Sequence, residues 1–132
     1  MAEYFVAVST RESVEEAIQS VTERLQAHQF GVLWHLDINE KLEEKGVEPG
    51  LPFHILEVCS APRAKQALTT NQRVGYFLPC KIVVYTDDQT HGTVIGLQRP
   101  RLMTELLGDP ALEPLANEVE LLLTTAIQEA VH

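Results

Sequence analysis

Apolar and polar residues alternate along this chain with two different periods, and the switches between them mark its elements. Tyr4, Phe5, Val6, Ala7 and Val8 form a short β-prone run that passes into Ser9-Thr10-Arg11, so a first strand over 4–8 ends in a turn. Val14, Ala17, Ile18, Val21 and Leu25 then recur at helical spacing and leave Glu15, Glu16, Gln19, Glu23 and Arg24 toward water. Ser13 and Glu16 have the spacing of a capping box, which starts this helix at Ser13; it should end near His28. Over 30–38 the period becomes two. That pattern predicts a strand with Val32, Trp34, Leu36 and Ile38 on one face and Leu33, His35 and Asp37 on the other.

Asn39 is placed to cap a short polar helix over 40–45, which stops at Gly46 before the Pro49-Gly50 turn. Phe53–Cys59 reads as a third strand, and Ala61–Thr70 as a helix with Ser60 at its N-cap and Pro62 in its first turn. Gly75 marks a turn. Pro79 lacks an N–H and fits only at a strand start or edge, ahead of a fourth strand over the β-branched run 81–85. Residues 87–92 then form a hairpin loop into a fifth strand over 93–97. Pro100 opens a short helix through Leu107, Gly108-Asp109-Pro110 breaks it, and a final helix over 112–131 carries a wide apolar stripe.

Strands alternate with helices early and an antiparallel hairpin comes late. The expected fold is therefore α+β: a two-layer sandwich with a mixed, largely antiparallel sheet of about five strands and helices packed on one face. No repeat, low-complexity tract or long polar linker divides the chain, so residues 1–132 are read as one domain. A chain of this length buries roughly two-thirds of its unfolded surface, enough for one core without staples. The sheet face opposite the helices needs a cover, and a second copy of the chain would supply it, which predicts a homodimer.

Charge removes some partners. Ten basic residues against nineteen acidic ones give a net charge of −9, which repels phosphate backbones and anionic membrane surfaces. Nucleic acid and membrane are not expected partners, and no run is long and apolar enough to span a bilayer. Met1-Ala2-Glu3-Tyr4 lacks the basic start and apolar run of a signal peptide, so a cytoplasmic setting with reduced thiols is expected.

The chemistry concentrates at two cysteines. Cys59 falls between a strand and a helix, where the helix N-terminus lowers a thiol's pKa if the sulfur points at it. Cys80 follows Pro79 and precedes Lys81, and it meets Cys59 only if the third and fourth strands are antiparallel neighbours. A lone buried cysteine is often an apolar filler, so the alternative is that both simply pack. His28, His35, His54, His91 and His132 are scattered without metal-ligand spacing; no metal or other cofactor is expected, although His35 and His54 lie in strands and can converge with a cysteine across the sheet. Asp37 and Glu57 can form a carboxylate pair in the same manner. No nucleophile-elbow, phosphate-loop or dinucleotide signature is present, so the motifs assign no catalytic activity.

Phe30-Gly31-Val32-Leu33-Trp34, Asp37-Ile38, Leu42, Lys45-Gly46, Ile55-Leu56, Cys59, Ala64, Ala67-Leu68, Gly75 and Leu78-Pro79-Cys80 together resemble the domain of unknown function 302 family. The resemblance runs from Phe30 to Pro100 with a helical tail. It implies a small two-layer α/β domain, commonly homodimeric, with no established activity. The chain departs from the family pattern beside both cysteines: Ser60-Ala61-Pro62 stands where relatives carry asparagine and proline, Glu57 replaces a glycine, and Lys81 replaces an asparagine.

These readings lead to an accessory protein that binds a small molecule or protein partner around Cys59, Cys80, Pro79, Ser60, Glu57 and Lys81. The alternatives are a thiol-dependent redox or sulfur-handling protein and a dimeric scaffold whose cysteines only pack.

Overall fold

Through residues 3–131, the part of the chain that the computed structural model describes, the elements run β1 Phe5–Thr10, α1 Val14–Ala27, β2 Gly31–Asp37, α2 Ile38–Glu44, β3 Phe53–Cys59, α3 Ala61–Thr70, β4 Cys80–Thr86, β5 Thr93–Gln98, α4 Pro100–Leu107 and α5 Glu113–Glu129. Short 3₁₀ turns at Gln72–Phe77 and Pro110–Leu112 complete the order. The strands form one sheet in the order β1-β5-β4-β3-β2, and all four ladders are antiparallel. The expected α+β sandwich is present, and its sheet contains no parallel pair. Two features remove it: β1 and β2, joined through α1, lie at opposite edges, while α3 returns the chain to the sheet end where β3 stops.

Helices α1 and α5 cover one face. Leu56, Val58, Ile82, Val84, Ile95 and Leu97 from the sheet meet Ala17, Val21 and Leu25 of α1 and Leu123, Ala126 and Ile127 of α5, all almost fully buried. At roughly 25 cal/mol per Å² of apolar surface removed from water, this cluster is the main source of stability. The capping box read from Ser13 and Glu16 is formed: Ser13 Oγ accepts from the Glu16 N–H, and the Glu16 carboxylate accepts from the Ser13 N–H. Those bonds lower the Glu16 pKa.

Two local expectations are corrected. A bulge between Val32 and Trp34 breaks the period of two, so Val32 pairs with Val58 on the helical face whereas Trp34 pairs with Glu57 on the other. His35 and Asp37 consequently lie on the helix side of the sheet and Leu36 on the open side. Asp37, not Asn39, caps α2, its Oδ1 accepting from the Asn39 and Glu40 N–H groups. Asn39 ties down the next loop instead, donating to the carbonyls of Gly50 and Leu51 and accepting from the Gly50 N–H. Gly46 ends this segment at φ 73°, a left-handed conformation that glycine adopts without a Cβ penalty.

Among the described residues, no helix covers the opposite sheet face. Phe5, Ala7, Trp34, Leu36, Phe53, Ile55, Val83, Tyr85 and Val94 point to it by strand alternation, with Phe53 stacked on Tyr85 at 5.0 Å and Trp34 51% exposed. Gly96 sits in the middle, where a Cβ would lie 3.1 Å from Val83 Cγ2. Its missing side chain makes room for Val83, and a trough of about 700 Å³ lies on this face between Phe5 and Tyr85.

Candidate functional site

The end of the sheet where β3 stops and β4 starts opens into a pocket of about 70 Å³ between α3, the 3₁₀ turn after it, α4 and α5. Antiparallel pairing places Val58 directly opposite Cys80, so Cys59 and Cys80 emerge at the same end and both line this pocket. They are free thiols. The walls are apolar, with Phe30, Val74, Phe77, Met103, Leu112 and Leu115 prominent among them. A cavity of roughly 150 Å³ admits benzene, so this one takes a group of about three heavy atoms and leaves the rest of a larger ligand at the mouth.

Ser60 lies where an N-cap was expected, but its hydroxyl does not cap α3. It accepts instead from Arg63 Nη1 at 3.2 Å, one turn along the helix. Arg63 Nη2 pairs with Glu118 Oε1 on α5 at 3.2 Å, and the guanidinium lies 5.6 Å from the Phe30 ring centre. Its Nε is buried without a hydrogen-bond partner. The arginine therefore pins the α3 N-terminus to α5 beside the pocket. Gln98 Nε2 donates to Met103 Sδ at 3.3 Å and fixes the opposite wall. At that corner Arg99 donates twice to Glu120 Oε2 on α5, and the Arg101 N–H donates to Glu120 Oε1, holding the start of α4 in place.

The thiols do not behave as the strand-to-helix position suggested. Burial raises the Cys59 pKa, and burial, with the Cys59 charge second, pushes Cys80 up to about 11. Desolvation disfavours the thiolate. Both groups are neutral thiols at pH 7. The alkylation rate of Cys59 by iodoacetamide is accordingly expected to keep rising past pH 8.5, the range of a free thiol, when followed by mass spectrometry. A rate that has levelled off by pH 7 would show a stabilised thiolate.

Of the sequence-read candidates, Cys59, Cys80 and Ser60 line the pocket together with Leu78, the residue before Pro79. Glu57 and Lys81 do not. They pair across β3 and β4 on the open face at 3.5 Å, because alternation turns them away from Val58 and Cys80. Asp37 and Glu57 also fall on opposite faces and form no carboxylate pair. Arg63, Gln98 and Met103 carried no motif, and Phe30 entered only through the family resemblance. Only Arg63 had a usable signal, its three-residue spacing from Ser60 in the first turn of a helix.

Among the histidines, His28 pairs with Glu129 at 2.8 Å, His91 lies in the β4–β5 loop, and His132 is outside the described residues. His35 Nε2 and His54 Nδ1 approach to 2.8 Å across β2 and β3, away from the pocket. Burial lowers the His35 pKa, the His54 charge adds to this, and Asp37 and Glu40 oppose it. No group of three or more His, Cys, Asp and Glu residues is arranged to hold a metal among the described residues, and no helix there is long and apolar enough to cross a membrane.

A family model described as "Domain of unknown function DUF302" matches residues 6–130. The solved structure of an uncharacterized conserved protein DUF302 from Bacillus stearothermophilus is 37% identical, covers 98% of this chain and 99% of its own, and superposes with a TM-score of 0.92. None of the curated proteins compared with the chain matches it.

Proposed function

The chain belongs to the DUF302 family, whose description names no activity, and from the pocket itself we propose that it is a small-molecule-binding accessory domain. The observation that carries this reading is the meeting of two neutral thiols, an apolar wall and the anchored Arg63 in one pocket at the β3–β4 end of the sheet. A cleft with apolar walls and few polar groups is the usual form of a ligand site. The ligand inserts a small apolar group between Cys80 and Met103 and leaves any polar head toward Ser60 and Arg63. The thiols act as walls and weak donors; their raised pKa values count against a redox or sulfur-transfer role.

Proton–nitrogen correlation spectra titrated with 2-propanol and with butyrate test this reading. Shifts are expected to cluster at Cys59, Ser60, Ala67, Leu78, Cys80 and Ala116, and Ala116→Leu, which fills the pocket, is expected to abolish them while the remaining spectrum stays dispersed. Shifts spread over the open sheet face, or unchanged by Ala116→Leu, would sink it.

The uncovered sheet face supports the second part of the proposal, a homodimer in which two copies pack these faces together. Contiguous apolar surface of this kind is uncommon on a monomer. Glu57 and Lys81, adjacent on that face, give each copy both signs of charge, which a two-fold axis can pair with their opposites. Unpaired thiols at positions 59 and 80 are compatible with the reducing cytoplasm.

A further inference from the structure

The bulge in β2 has a second effect, because it brings His35 onto the same sheet face as His54. Register places His54 directly opposite Asp37 and His35 directly opposite Leu56, so the two imidazoles are diagonal neighbours. Their facing nitrogens, His35 Nε2 and His54 Nδ1, are 2.8 Å apart, with ring centres at 5.0 Å and planes inclined by 46°. His35 is exposed and His54 half-buried, so water reaches the pair.

Two nitrogens bound to one metal ion at about 2.0–2.1 Å lie roughly 2.9 Å apart when they subtend a right angle, and roughly 3.3 Å apart in a tetrahedron. The observed 2.8 Å is a hydrogen bond between the rings, and a small ring rotation brings both nitrogens within reach of one ion; the choice among metals follows the general affinity order for imidazole ligands, in which Cu²⁺ leads Ni²⁺. We infer that His35 and His54 are a two-imidazole chelate for a divalent transition metal, Cu²⁺ before Ni²⁺, at the β2–β3 edge.

The rings turn slightly so that both lone pairs converge on the ion instead of on each other. The proton now held between the two nitrogens moves through solvent to the outer nitrogen of the same ring, so two neutral imidazoles bind without redox change or net proton release. The carboxylates of Asp37 and Glu40, whose charges act on His35, favour a cation there. Asp37 Oδ1 is held by the α2 backbone, and the remaining coordination positions are open to water. The copper preference follows the general order of affinity for nitrogen sites.

Trp34, the chain's single tryptophan and the neighbour of His35, supplies the readout because bound paramagnetic ions quench it. Fluorescence titrations with Cu²⁺, and with Ni²⁺, which thiols do not reduce, are expected to show midpoints weakened about tenfold or more by His35→Gln, by His54→Gln and by the double variant. His91→Gln is expected to leave the midpoints unchanged. Equal midpoints in wild type and double variant, or an equal loss in His91→Gln, would overturn the inference. Frozen-solution paramagnetic resonance of the unmodified chain with Cu²⁺ gives a check free of folding effects: two nitrogen ligands support the site, whereas none, one or a thiolate sulfur refutes it.

Discussion

Leu56→Ala is expected to lower the unfolding free energy by about 3 kcal/mol, within the 2–5 kcal/mol range of leucine truncations in well-packed cores. Leu56 is fully buried on the helical face of β3, where Ile82 of β4 is its cross-strand neighbour and α1 and α5 close over the sheet. Removing three carbons there forfeits their transfer energy and leaves a hole that two strand backbones, held by full ladders on both sides, cannot collapse to fill. For a chain of this size the loss corresponds to a fall of roughly 10 °C in Tm. Leu36→Ala, on the open face of the edge strand, provides the contrast and is expected to cost less than about 1 kcal/mol in the isolated chain. Urea denaturation of both variants at equal protein concentration measures the difference. A Leu56→Ala loss as small as that of Leu36→Ala would mean that the core lies elsewhere.

How much of this was legible in the sequence depended on the range of the interaction involved. The capping box, the Gly46 stop and the Pro79 strand entry are contacts within a few residues, and spacing alone reports them. The β2 bulge is set by pairing with Val58 and Glu57, more than twenty residues away, so the strict alternation read over 30–38 put Trp34 on the wrong face. The same range explains the cap on α2: Asp37 and Asn39 are both good caps in isolation, and the loop at Gly50 recruits Asn39, leaving Asp37 for the helix.

At the pocket, position was readable and chemistry was not. A strand-to-helix junction and a proline-led strand entry located Cys59 and Cys80, and antiparallel pairing then brought them to one end of the sheet. Their acidity depends on how many atoms crowd the sulfur, which includes α4 and α5 residues distant in sequence, and that burial raises both thiol pKa values. Arg63 illustrates the same limit. Its approach to Ser60 is local, but its partner Glu118 is 55 residues on.

Val83→Lys is expected to halve the mass of the assembly while leaving the fold intact. Val83 lies at the centre of the open face, flanked by Ile55 on β3 and by Gly96 on β5, whose missing side chain makes room for it. In the proposed face-to-face dimer, a two-fold axis through the centre of this face brings the lysine to its own symmetry mate as well as to the opposing apolar surface. Like charges placed together without water cost several kcal/mol, more than a dimer of ordinary strength tolerates. In the separated chain the same lysine extends into solvent, so its circular dichroism and urea midpoint stay close to those of the wild-type monomer. Light scattering during gel filtration is expected to give twice 14.8 kDa for the wild type and 14.8 kDa for Val83→Lys at micromolar concentration. A wild-type mass of 14.8 kDa removes the dimer, and a Val83→Lys protein that remains dimeric moves the interface off the open face of the sheet.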